Sequence, residues 1–402
     1  MVSPFNERMK ELTKGYRDVS GWESPMYYGN YEVVSSFGNE NYKQDWKSEH
    51  QACRENVGVF DMSFMSKYTV KGRNCGNFLN AISTANVNGP CGKITYTQWL
   101  DAKGMVMADL TVTKVNDFEF MVVATDTQRR QVMRHFERAL DSMNETECVI
   151  TDVTDAYGML SIQGPNSRKL LQGCTDTDLS NEAYEFRDAR DIYIGYAKCK
   201  CARITYVGEL GYELYVPASQ CLYVYDYLTR AGKDEGIEFR NCGLKALGSL
   251  RIEKGYLDYG HDVDNEDHVC DVGLSFTCDL KKPGGFVGID KVREVKEFNK
   301  SRGGPLRSIA SVFIDGDSFR LHGGEIISRN GAVVGDVRTA SYGFTVGGSV
   351  GIAMIEPNNP DVKVNRKYIE EGDWRIEGGE GNVDVKVVKG ALFDPKGCNI
   401  KK

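Results

Sequence analysis

Long apolar runs are missing from this chain: nowhere do hydrophobic residues approach the ~20 in a row needed to cross a bilayer, so no membrane span is expected. Positive charge is also short. The 50 Lys and Arg against 57 Asp and Glu leave a formal net charge of −7, and no run of basic residues supplies the face that nucleic-acid binding requires. An acidic protein can still hold an anionic ligand through a few local cations. Cys-x-x-Cys is absent despite 12 cysteines, and none of the five histidines forms a His-x-x-x-His pair, so no structural metal site is expected. His261 and His268 lie among Asp262, Asp264, Glu266 and Asp267, a stretch that could attract a cation but reads first as a solvated acidic loop. No Gly-x-Gly-x-x-Gly turn admits a dinucleotide, and there is no phosphate-cradling P-loop. Gly347-Gly348-Ser349-Val350-Gly351 spells Gly-x-Ser-x-Gly, but a short strand rather than a helix should follow it, which argues against a hydrolase elbow. The cysteines are scattered with no leading signal sequence. They read as reduced, mostly buried thiols of a cytoplasmic protein, or of the mitochondrial matrix if the chain is a processed form.

What is present suits two or three domains: 402 residues, 41% hydrophobic and 27% charged. Residues 94–100 alternate like a strand, 101–104 turn, and 105–115 return as a hairpin partner, followed by a strand at 118–124. Apolar spacing predicts helices over 44–55, 127–140 and 222–236, and one long strand over 192–207. The fold class read from this is α+β, with mixed and antiparallel sheets and helices but no parallel dinucleotide fold. Residues 1–296 are expected to form the main region, of two intertwined subdomains. Residues 298–304 read as a linker. The glycine-rich short strands beyond it, within 305–402, read as a small β-barrel domain that closes over the pocket.

Two stretches concentrate chemistry. Thr205-Tyr206-Val207-Gly208-Glu209-Leu210-Gly211-Tyr212-Glu213-Leu214 reads as strand, turn, strand, with Gly208 and Gly211 taking backbone angles closed to other residues. Period two puts Glu213 opposite its apolar neighbours. There it is either a solvated hairpin carboxylate or the partner of a flat heterocycle presenting an amine and a ring N–H, because a carboxylate accepts two parallel hydrogen bonds. The other stretch is Leu250-Arg251-Ile252-Glu253-Lys254-Gly255-Tyr256. Upstream, Asp109 sits between Ala108 and Leu110 in a strand, where an acid is costly to bury unless it is paired or working. The hairpin is expected to set it facing Tyr96.

The wording Tyr-Val-Gly-Glu-Leu-Gly-Tyr-Glu-Leu, then Leu-Arg-Ile-Glu-Lys-Gly-Tyr, Gly273-Leu274-Ser275-Phe276 and Gly285-Phe286-Val287-Gly288 resembles the aminomethyltransferase (glycine-cleavage T-protein, GcvT-like) family. The likeness is strongest to the folate-binding half of sarcosine and dimethylglycine dehydrogenases. It implies a tetrahydrofolate-dependent one-carbon transferase. The donor would be a small methylated amine, betaine or sulfonium compound, with a flavoprotein subunit or a lipoyl carrier protein as candidate partner. Counting thirteen residues on from Tyr96 places the family's catalytic carboxylate at Asp109. By the same resemblance Tyr96 and Tyr206 would flank the pteridine, Glu213 would accept from its amine edge, and Arg251 would complement charge. Two departures stand out: Ala108 replaces the first acid of an Asp-Asp pair, and Ala124 replaces an Asn that touches the pteridine. Those losses fit the alternative of a folate-binding, non-catalytic or partner subunit of a split oxidase. With no dinucleotide turn, the chain is expected to use neither FAD nor a metal.

Overall fold

The computed structural model describes residues 1–34, 40–237, 239–379 and 381–402. Among them the α+β reading holds. A five-stranded antiparallel sheet runs in the order Ile94–Leu100, Val106–Asn116, Glu119–Ala124, Ser66–Gly72, Cys148–Asp152. One face carries Trp99, Ala108, Leu110, Val112, Val122 and Ala124, buried with Phe78 and Phe136 from the helices Cys75–Ile82 and Arg129–Met143. A six-stranded sheet follows the order Ala189–Ile194, Ala197–Ala202, Gly211–Pro217, Tyr157–Gln163, Val57–Asp61, Phe239–Asn241, parallel only in its last pair. Its outer face sets Leu160, Ile162, Tyr212 and Leu214 against Val224 and Leu228 of the helix Cys221–Asp234. The remaining faces turn toward a shared middle, where Met121 and Val123 of the first sheet meet Met159 and Tyr215 of the second, with Trp46, Leu247 and Leu250.

The alternation that drew the strands also decides which side chains face that middle, because period two sends neighbours to opposite faces. Ala108 points into the helix-covered core, and Asp109 therefore points inward. The hairpin register differs from expectation by one pair. Asp109 lies directly across from Gln98, and Tyr96 is opposite Thr111, so Tyr96 is the diagonal neighbour on the same face.

Two further expectations are corrected. The long strand over 192–207 is a hairpin of two strands, turned at Gly195 with φ +56°. The segment before Gly211 is not a strand: the Thr205 hydroxyl accepts from the amides of Val207 (3.2 Å) and Gly208 (3.0 Å), folding the chain locally. Gly208 has φ +79°, but Gly211 is required for another reason. A Cβ there would lie 1.9 Å from Gln163 Oε1.

The C-terminal sheet has seven strands, beginning with Ser308–Asp315, and its two edge strands, Gly381–Asp384 and Lys386–Val388, are separated in sequence by Val385 alone. A sheet whose edges are joined so closely must curl, which makes this the barrel. Ser349 of the Gly-x-Ser-x-Gly stretch is buried in the strand Gly348–Ile355, as expected.

The helix Leu244–Glu253 is buried from residue 249 to 253, Arg251 and Glu253 included. Charges so placed require partners. Arg54 donates to Glu253 Oε2 (2.9 Å), to Glu209 Oε1 (2.9 Å) and to the Val207 carbonyl (2.7 Å). Glu253 Oε1 accepts from the Thr345 amide of the barrel region at 2.9 Å. One guanidinium thus ties the folded 205–210 segment, the buried helix and the barrel together. Arg54→Ala strands two buried carboxylates and is expected to lower the unfolding free energy by ~3–5 kcal/mol, measured by denaturant titration. A loss under 1 kcal/mol would mean this tie is solvated.

Nine of the cysteines are buried and none is bridged. No helix among the described residues is long and apolar enough to cross a membrane.

Candidate functional site

Asp109 is half-buried and accepts from Gln98 Nε2 at 2.7 Å, with the Tyr96 hydroxyl as a further donor. Burial pushes its pKa up to about 6 against these two donors, and Asp258 adds to the rise. Gln98 is fully buried, and its Oε1 accepts from Thr277, which leaves the amide nitrogen for Asp109. The Asp109 backbone amide donates to Gln128 Oε1 at 3.2 Å. Two uncharged donors, Gln98 and Tyr96, therefore hold this carboxyl, while Gln128 holds its backbone. Gln98 was missed by the sequence reading, although a strand puts positions 96 and 98 on one face and the hairpin register makes 98 the direct partner of 109.

Tyr206 donates to the Leu257 carbonyl at 2.9 Å and lies nearly parallel to Tyr256, ring centroids 6.3 Å apart. Asp109 and Arg251 both act on its hydroxyl electrostatically, so these groups share one locality. Tyr96 stands 6.4 Å from the ring of Phe276, which is 70% exposed and marks the open side.

Arg251 is buried against Asp262, with which it forms a two-pronged ion pair, and reaches the Tyr256 carbonyl (3.1 Å) and Thr339 Oγ1 (3.4 Å). Its charge is matched within the protein. The stretch around His261 and His268 is accordingly not a solvated acidic loop: Asp262 and Asp267 are 1% and 0% exposed, and Asp267 is bound by Arg307 and Arg338. No group of three or more His, Cys, Asp or Glu among the described residues could hold a metal ion.

Glu213 stands on the inner face of the second sheet. The Tyr215 hydroxyl donates to its Oε2 at 2.7 Å, and burial raises its pKa to about 7, against Tyr215 and the more distant Lys67. No ion pair neutralises it among the described residues. On the adjacent strand, the wholly buried Gln163 uses Nε2 on Ser161 Oγ (2.9 Å) and on the Ile204 carbonyl (3.3 Å), leaving Oε1 without a donor. That second bond anchors the backbone two residues before Tyr206. The structure thus gathers Tyr96, Asp109, Tyr206 and Arg251 on one side, and Gln163 ties the 204–206 segment to the sheet that carries Glu213. Ala124 packs in the helix-covered core of the first sheet.

Two family models cover this architecture: the GCVT N-terminal domain matches residues 5–282 and the glycine cleavage T-protein C-terminal barrel domain matches 307–394. The chain belongs to the glycine cleavage T-protein family. Among curated T-protein relatives, 4-methylaminobutanoate oxidase (formaldehyde-forming) of Paenarthrobacter nicotinovorans is 31% identical over 99% of this chain and 47% of its own length. Human mitochondrial sarcosine dehydrogenase is 32% identical over the same shares. The chain therefore spans about half the length of these relatives. An aminomethyltransferase of Clostridium botulinum (strain 657 / Type Ba4) is 30% identical over 85% of this chain and 90% of its own. The crystal structure of aminomethyltransferase T of the glycine cleavage system from Bartonella henselae superposes with TM-score 0.80 at 20% identity, covering 98% of both chains, and shows the T-protein fold.

Burial raises the pKa of Asp109 and Glu213 above the ordinary 3.8 and 4.5, so these two groups hold more protons in the folded T-protein chain than in the unfolded one between about pH 4 and 7. Stability held below that window is lost as pH rises through it. Glu213→Gln is expected to raise the unfolding free energy by ~1–3 kcal/mol at pH 8 and to change it little below pH 4, read from denaturation at both pH values. Destabilisation at pH 8 would show the carboxylate to be a structural anchor instead.

Proposed function

We propose that the chain is a tetrahydrofolate-dependent one-carbon transferase. It would move a methyl group, or a methylene or aminomethyl group, from a small methylated amine, betaine or sulfonium donor onto tetrahydrofolate. The observation that carries this reading is Asp109: an inward carboxyl held by neutral donors with a pKa of about 6, in a region floored by Tyr96 and Tyr206. Such a group is ionised at neutral pH and can still take up a proton, as proton management in a transfer demands.

The residues present fit a folate. Among the described residues Glu213 has no ion-pair partner and Gln163 Oε1 no donor, so two acceptors on adjacent strands would suit the N–H groups of an amine-rich ring edge. Tyr96 and Tyr206 would supply flat faces, and Arg251, held by Asp262, would position the floor through Tyr256 rather than spend its full charge on ligand. Bound tetrahydrofolate would supply the amine nitrogens that receive the carbon. The chain's own share is to orient, exclude water and hold one proton at the Asp109 carboxyl. Aromatic faces at Tyr96, Tyr206 and Tyr256 would also attract a donor carrying a cationic nitrogen or sulfur. Support comes as well from the names of separate relatives, an aminomethyltransferase on one hand and a sarcosine dehydrogenase and a 4-methylaminobutanoate oxidase on the other.

A second reading, the folate-binding or non-catalytic part of an oxidase-type complex, is favoured by the share of the curated relatives that the chain spans. The two readings differ in product. Raising an N-methyl group to the methylene level needs a hydride acceptor, whereas transfer of a methyl group does not. Mass spectrometry of the folate pool after incubation with methylated amines, betaines and sulfonium compounds is expected to find 5-methyl-tetrahydrofolate with the chain alone. If 5,10-methylene-tetrahydrofolate forms, and only when a flavoprotein or an aminomethyl carrier is added, the partner reading replaces the first.

A further inference from the structure

Away from that site, the helix Ile289–Arg302 and the barrel enclose a depression of about 430 Å³. Its walls carry three cations from three separate parts of the chain: Lys296 on the helix, Arg366 at the start of the short helix Arg366–Glu370, and Lys389 just past the strand Lys386–Val388. Lys296 donates only to the Ser275 carbonyl (3.2 Å), and Lys389 to the Ser308 hydroxyl and the Ile309 carbonyl (3.0 Å). Neither ammonium lies within ion-pairing distance of a carboxylate among the described residues. Arg366 is partly matched by Glu370 at 3.1 Å, an exposed pair that water screens. The carboxylate that acts on Lys389, Asp271, sits 3.7 Å from Arg307 and is shared with it.

Carbonyl and hydroxyl acceptors orient an ammonium but leave its charge in place. Lys296 and Lys389 so placed share one half-enclosed space with the partly matched Arg366, and an incoming anion would offset the repulsion between Lys389 and Arg366. Burial and Arg366 hold the Lys389 ammonium below its ordinary pKa, with Asp271 pulling the other way. The rest of the wall mixes the apolar Pro305 and a mostly covered Val364 with the polar Asn299 and Asn365.

We propose that this depression is a binding site for a small doubly charged oxyanion ligand with an apolar portion, gripped by Lys296, Lys389 and Arg366. A short dicarboxylate has both features, two charged ends and a methylene spine to lie on Pro305. Inorganic phosphate shares the charge but not the spine. The site is separate from Asp109 and Glu213, so its occupancy and one-carbon transfer can be measured independently.

The test is calorimetric titration of the full chain with glutarate and with inorganic phosphate, each against sodium chloride at matched ionic strength. Expected is one glutarate bound per chain, weakened ~10-fold or more by Lys389→Met or Lys296→Met, which keep the apolar stem and remove the charge. Phosphate binding as tightly, with the same loss in the variants, supports the oxyanion site and assigns the ligand to the phosphate class. Neither probe binding above the chloride control, or unchanged binding in both Met variants, overturns the proposal. Thermal unfolding without ligand gives a second readout. Relief of repulsion leaves the midpoint of Lys389→Met equal or higher, while a marked fall shows the ammonium to be a structural tie and counts against the site. Should that variant not fold, the exposed Arg366→Gln carries the titration in its place.

Discussion

Asp109→Asn is expected to lower turnover by ~10²-fold or more while leaving folate affinity nearly unchanged. The substitution keeps the planar shape and the reach to Gln98 Nε2, now 2.7 Å from the carboxylate, and removes only the charge and the capacity to hold a proton. Because the pKa of the carboxyl is raised to about 6, the parent's rate should also fall as pH drops through about 6, and that limb should vanish from the residual activity of the variant. The pH profile separates a working carboxyl from one that merely supports the hairpin: loss of a support would shift the rate at every pH. Turnover at the parental rate would make Asp109 structural. Ala108 is no rival for the role, since its side chain lies in the core with Trp99 and Leu110.

Glu213→Ala should weaken folate binding by roughly two orders of magnitude, the ~2–4 kcal/mol that a charged acceptor contributes in a desolvated site. Tyr215 occupies one of its oxygens, at Oε2, and the carboxyl titrates near 7. Affinity of the parent should therefore rise with pH through about 7, as the stronger, ionised acceptor forms. Glu213→Gln should bind with intermediate affinity and without that pH dependence. Equal affinity of the parent and Glu213→Ala by calorimetry would remove Glu213 from the site. It would also leave the unpartnered Gln163 Oε1 without a role.

Much of the site was legible where one chemical rule acts over a short span. Period two gave Asp109 and Glu213 their faces, because the pleat admits no other arrangement once their apolar neighbours are buried. The hairpin register was off by one pair, since alternation fixes a face but not which residue stands directly across, and Gln98 was overlooked for that reason. The segment 205–207 looked like the end of a strand because its residues favour extended backbone. In the folded chain the Thr205 hydroxyl and Arg54, from a helix about 150 residues away in sequence, bind that backbone instead.

The acidic stretch at 262–267 shows the same limit from the other side. Its composition reads as solvated, yet Asp262 and Asp267 are buried because Arg251, Arg307 and Arg338 converge on them from a helix and the barrel. Sequence by itself determined the α+β class, the barrel, the family likeness and the faces of the individual acids, all of which follow from local period and wording. Tertiary structure alone decided which charges are spent within the protein, as Arg251 is, and which have no ion-pair partner among the described residues, as is true of Glu213. An ion pair is a matter of distance between residues far apart in the chain, and no local pattern encodes that distance.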